Sequence, residues 1–86
     1  MSTESEIKTA IQGVVGSSYS SWYIGITANP KQRREQHEAD GKDTKYWREW
    51  KADSETAARN IEAYFLEKGM KGGEGGGDKP TYVYIY

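Results

Sequence analysis

The stretch Tyr23-Ile24-Gly25-Ile26-Thr27, followed by Asn29, Arg33 and His37, is the part of this 86-residue sequence whose residue types and spacing can do chemistry. Arg33 and His37 are four apart, so a helix presents them on one face. An arginine is always charged and clamps a phosphate through two parallel N–H groups. Histidine and tyrosine beside a metal ion can move protons. Phosphodiester cleavage needs charge on the phosphoryl oxygens, an activated water and help for the leaving oxygen. A single carboxylate can hold a hydrated Mg²⁺, whose remaining positions bond substrate oxygens. Plainer accounts exist for the same residues. Arg33 and Arg34 with Glu35 and Glu38 also suit a solvated helix of i,i+4 pairs, and a lone histidine often only packs. Tyrosine is a common strand residue that covers a sheet face.

These side chains need elements to position them. Ser2 to Val15 reads as an amphipathic helix, with Ser2 or Thr3 as cap and Ile7, Ile11, Val14 and Val15 at helical spacing. Tyr19 to Thr27 reads as a strand whose Gly25 marks a close approach to the backbone. Asn29-Pro30 starts a second helix, since Asn caps and Pro suits the first turn. That helix has almost no apolar residue, so it lies on the surface or lines a polar site. Tyr46 to Ala52 reads as a second strand, short or bulged because Trp47 and Trp50 differ in parity. Ser54 opens the longest helix, Glu55 to Lys68, and Gly69 stops it. A Gly-rich loop, 69–79, leads to a strand from Thr81 to Tyr86, expected inside the sheet because a bare edge there would aggregate. The order α–β–α–β–α–β gives an α+β fold in one domain, 1–86.

The motif residues resemble the second half of the GIY-YIG nuclease signature: a strand with Tyr23-Ile24-Gly25, then Thr27 and Asn29, then a helix with Arg33 and His37. Ala58-Arg59-Asn60-Ile61-Glu62 looks like the later helix whose Glu binds the divalent metal in that family. The resemblance runs from Trp22 to Leu66. It implies a small three-stranded, largely antiparallel sheet with two to three packed helices. It also implies metal-dependent hydrolysis of nucleic acid, with Mg²⁺ or Mn²⁺ on Glu62, Arg33 on the phosphate and His37 assisting. Tyr84 or Tyr23 would be the general base. The family's first strand, bearing Gly-Ile-Tyr, has no counterpart in Ile11 to Ser21, which reads as a helix end and a Ser-rich linker. The strand Tyr82-Val83-Tyr84-Ile85 would take its slot beside Tyr23–Thr27, as in a circular permutation, with Tyr84 in place of the family's first tyrosine. The family's Asn after the Glu helix has no match, because Gly-rich sequence stands there. A module of the same fold that binds nucleic acid or a phosphorylated ligand without cutting it is the first alternative. A structural or protein-interaction domain is the second.

Composition narrows the rest. Twelve basic residues stand against 13 acidic ones, for a net charge of -1, which excludes a binder driven by bulk positive charge. Between Pro30 and Lys51 there are seven basic and five acidic residues, a mild excess that suits contact with a few phosphates of a weakly bound or specialised substrate. There is no cysteine, hence no disulfide, thiolate nucleophile or Cys zinc site. No apolar run reaches the roughly 18–20 residues of a membrane span. The polar, acidic start is no signal peptide, and a cytoplasmic protein is expected. Three Trp and seven Tyr supply the bulk that a chain with 35% hydrophobic residues otherwise lacks. Oligomeric state is left open.

Overall fold

The computed structural model describes residues 3–72 and 79–86. Helix α1 spans Glu4–Val15 and starts on Thr3. The Thr3 hydroxyl accepts the Glu6 N–H at 3.1 Å while the Thr3 N–H donates to Glu6 Oε1 at 2.8 Å, a reciprocal capping box. Its buried stripe is Ile7, Ile11 and Val15. Strand β1 is Tyr23–Thr27, shorter than the Tyr19–Thr27 expected, because Tyr19–Ser21 forms a 3₁₀ turn. That turn lets Tyr19 pack on Phe65, ring centroids 6.3 Å apart. Helix α2 is Pro30–Ala39, and strand β2 is Arg48–Lys51. Helix α3 is Glu55–Lys68, capped by Ser54, whose hydroxyl accepts the Ala57 N–H at 3.1 Å. Gly69 ends it with φ +113°, a left-handed conformation that glycine adopts without a Cβ clash. Strand β3 is Lys71–Gly72 and strand β4 is Tyr82–Ile85.

The sheet is four-stranded and mixed, in the order β2-β4-β1-β3. Strand β4 runs antiparallel to both neighbours, with Tyr84 opposite Gly25 on one side and Glu49 on the other. Its apolar, aromatic edges are therefore both paired, as expected. The three-stranded, largely antiparallel expectation needs correcting. The left-handed turn at Gly69 and the burial of Met70 return the chain along β1, where Lys71 and Gly72 pair in parallel with Tyr23 and Ile24. Glycine hid this strand from a reading based on strand propensity. A Cβ at Gly72 would meet the exposed end of the Leu66 side chain, which would have to shift, and lie 3.2 Å from the Ile24 carbonyl oxygen. The rest of the expected 69–79 loop, residues 73–78, lies outside the described residues.

Alternation decides the two sheet faces. Ile24, Ile26, Val83 and Ile85 point to a core completed by Ile7, Ile11, Ala58, Ile61 and Phe65 of α1 and α3. Trp50, opposite Val83, packs against that core. Tyr82, Tyr84 and, just beyond the strand, Tyr86 have the opposite parity. Among the described residues no helix is long and apolar enough to cross a membrane.

Candidate active site

The motif residues between β1 and α2 first do a local job. The Thr27 hydroxyl accepts the Asn29 N–H at 3.1 Å, and Asn29 Oδ1 accepts the Gln32 N–H at 3.2 Å. Together they turn the chain out of the sheet and straight into α2. No residue of α2 is buried. Only Pro30, Arg33 and His37 are half-buried, and their three-and-four spacing makes them one face. That face lies on the Tyr84–Tyr86 side of the sheet. Beyond α2, the Lys42 N–H donates to the His37 carbonyl at 2.9 Å. Thr44, buried, donates to Glu38, which also pairs with Arg34 Nε at 3.4 Å. The loop after the helix is thereby held against it.

A cleft of about 220 Å³ opens between α2, α3 and the sheet. It brings together all the site residues expected from the sequence: Tyr23 of β1, Arg33 and His37 of α2, Glu62 of α3 and Tyr84 of β4. Tyr86, Asp40 and Lys42 also line it and were not anticipated. Tyr86 had a readable signal, since it shares the parity of Tyr84. Asp40 and Lys42 are placed by the turn after α2, which carries no such pattern.

His37 links the tyrosines. Its Nε2 lies 3.0 Å from the Tyr84 hydroxyl, and its Nδ1 lies 3.0 Å from the Tyr86 hydroxyl. A neutral imidazole has one N–H and one bare nitrogen, so one tyrosine donates to the ring and the other accepts from it. Trp47 stacks on Tyr84 at 4.5 Å between centroids, which holds the phenol from the far side. Across the strands, the Tyr84 ring lies over Gly25, where any Cβ would collide with its hydroxyl end. Gly25 is thus the close approach that the sequence implied.

Electrostatics keep the cleft poised. Burial first, and then the Arg33 guanidinium, hold the His37 pKa below its usual value, with Asp40 opposing. His37 is therefore neutral at pH 7. Burial raises the Tyr84 phenol, with Arg33 pulling it back. Burial pushes Tyr86 up to about 12. Burial also raises Glu62, against the pull of Arg59. Arg59 itself pairs with Glu55 at 2.8 Å, and Glu62 has no ion-pair partner among the described residues. Arg33 likewise has none, whereas Arg34 is tied to Glu38. Four charged side chains line the cleft, Arg33, Asp40, Lys42 and Glu62, and none of them forms an ion pair among the described residues.

This donor set fits a hydrated, hard divalent cation. Such an ion keeps several waters and takes one or two carboxylates plus substrate oxygens. Among the described residues no group of three or more His, Asp or Glu side chains could form a closed protein cage for a metal. Glu62 and Asp40 are the carboxylates that line the cleft. No family model, curated protein or solved structure matches the chain.

Proposed function

We propose that this protein is a metal-dependent phosphodiesterase that cleaves nucleic acid, with a GIY-YIG-like site built on a permuted strand order. The observation that carries the reading is the convergence of Tyr23, Arg33, His37, Glu62 and Tyr84, from four separate elements, on one cleft. The position of β4 suits the permuted order, since Tyr84 faces Gly25 in an antiparallel pair.

Arg33 binds the scissile phosphate through its unpaired guanidinium and stabilises the charge that grows on the phosphoryl oxygens. Glu62 would hold a Mg²⁺ or Mn²⁺ ion, which would supply further positive charge to the phosphate and the leaving oxygen. Tyr84 is the better-placed base of the two tyrosines considered. Its hydroxyl contacts His37, while Tyr23 stacks on Tyr86 at 5.0 Å. As water attacks phosphorus, the P–O bond to the leaving oxygen breaks; the water proton passes to the Tyr84 oxygen, the Tyr84 proton passes to His37 Nε2, and the leaving oxygen takes a proton from solvent. The transfer uses the His37 tautomer in which Nδ1–H donates to the Tyr86 hydroxyl and Nε2 accepts from Tyr84. Binding without cleavage would use the same Arg33, so the two readings separate at Glu62.

The test is cleavage of supercoiled plasmid, single-stranded DNA and RNA in Mg²⁺ or Mn²⁺, with Glu62→Ala beside the wild type. Metal-dependent cutting by the wild type alone is expected. Phosphate-ligand binding that is the same in both proteins, with no cutting by either, would favour the binding module.

A further inference from the structure

Beside the cleft lies a second cavity of about 330 Å³, walled by Trp22, Tyr23, Tyr46 and Tyr86, with Lys42 and Asp43 at its rim. Tyr23, Tyr86 and Lys42 line both cavities, so the two are contiguous. Their chemistry differs. The first holds Arg33 and Glu62, whereas the second is mainly aromatic and carries one charge of each sign. Tyr46 is 62% exposed, a large aromatic side chain left in solvent. Tyr23 and Tyr86 stack on each other, 5.0 Å between centroids and 7° between planes, and both line this cavity. The ammonium groups of Lys42 and Lys71 lie 5.0 and 5.4 Å from the Tyr23 ring centre, and Lys42 lines both cavities. Asp43 disfavours a second phosphate in the aromatic cavity itself.

We propose that this aromatic cavity is a subsite for one unpaired nucleobase, next to the phosphate held by Arg33. The inference rests on the nuclease reading and narrows its substrate class to single-stranded or locally unpaired nucleic acid. A base inside a duplex stays stacked on its neighbours and cannot enter an aromatic-walled recess. An unpaired base can, and stacking on an aromatic side chain is favourable for every base because each has a π-face. The charge pattern selects this occupant over another protein: a flat neutral ring for the aromatic walls, and a phosphate for Arg33 and Lys42 at the junction.

The experiment uses the full chain in EDTA, so that nothing is cut, and measures affinity by fluorescence anisotropy. The probes are a labelled single-stranded DNA decamer, the same decamer with abasic sites throughout, and the matching duplex. The intact single strand should bind about tenfold tighter than the abasic one, the scale of one base–aromatic stack. Tyr46→Ala should remove that difference and leave abasic binding unchanged; Tyr46 is too exposed to matter for folding. Arg33→Ala should weaken both single strands by the same factor. Equal binding of intact and abasic strands would overturn the base subsite, and an equal Arg33→Ala loss would leave the phosphate reading standing. A duplex bound as tightly as the single strand, with the same loss in Tyr46→Ala, would also overturn it. So would a self-association of the free protein that Tyr46→Ala abolishes while oligonucleotide affinity stays constant. Base-dependent binding without metal-dependent cutting would uphold the subsite and sink the nuclease reading alone.

Discussion

Helices α2 and α3 both border the cleft but are held against the sheet by different forces. Helix α3 buries Ala57, Ala58, Ile61 and Phe65. Helix α2 buries nothing and turns Arg33 and His37 toward a polar cleft. The first is fixed by removal of apolar surface from water, which is non-directional and large. The second is fixed by Asn29 as cap, by the hydrogen bonds of its following loop and by His37 between two tyrosines. Those contacts are directional and each is modest in net free energy. Stability is therefore concentrated in α3 and the reactive Arg33 and His37 in α2. Glu62 is the exception, a charged side chain carried on the core helix, and burial already presses on its charge.

The sharpest test of this contrast pairs one substitution from each helix. Phe65→Ala empties a fully buried site and should cost about 3–5 kcal/mol in urea unfolding. Arg33→Ala should leave the unfolding midpoint within about 0.5 kcal/mol, as for a surface site, and lower cleavage about a hundredfold or more. A large loss of stability in Arg33→Ala would make that arginine structural and erase the contrast. Gly25→Ala comes next. Its methyl would displace the Tyr84 ring, so we expect a loss of about 1–3 kcal/mol together with loss of activity. Normal activity would detach Tyr84 from catalysis.

Smaller effects refine the picture. The folded-state pKa of Glu62 is raised, so its stabilising contribution is present below the ordinary carboxylate range and is lost as pH rises through the folded value. Glu62→Gln should therefore stabilise the metal-free protein at pH 7, by less than about 1 kcal/mol because solvent screens a half-exposed group. The gain should shrink at pH 4. His37 has the opposite sign. Its folded-state pKa is depressed, so its contribution is present above the ordinary value of about 6.5 and is lost as pH falls through the folded value. Unfolding midpoints between pH 7 and pH 5 should decline slightly in the wild type and less in His37→Phe. Parallel slopes in the two proteins would show that another group titrates.

Elements governed by near neighbours were legible in advance. Ser54, the Ala58–Ile61–Phe65 stripe and Gly69 mark the start, face and end of α3, and the structure keeps those bounds. Thr3 and Glu6 define the start of α1 in the same way. The β3 strand was hidden, since Lys71-Gly72 has no strand propensity and exists only because β1 offers an edge. Asp40 and Lys42 were missed as site residues for a similar reason, since the turn after α2 places them in the cleft, whereas the parity of Tyr86 was readable.

The sequence by itself determined the helices, the alternation that divides the sheet into an apolar and a tyrosine face, and a polar helix with Arg33 and His37 on one side. Each of these follows from residues within one or two turns of each other, where propensity, capping and periodicity act. The place of the last strand beside β1, and of Glu62 beside Arg33, came only through a resemblance; tertiary structure decided that β4 also pairs with β2, that β3 closes the other edge and that the Tyr84 ring crosses Gly25. Those pairings join residues far apart in the chain, and burial of the whole apolar face, rather than any local preference, selects them.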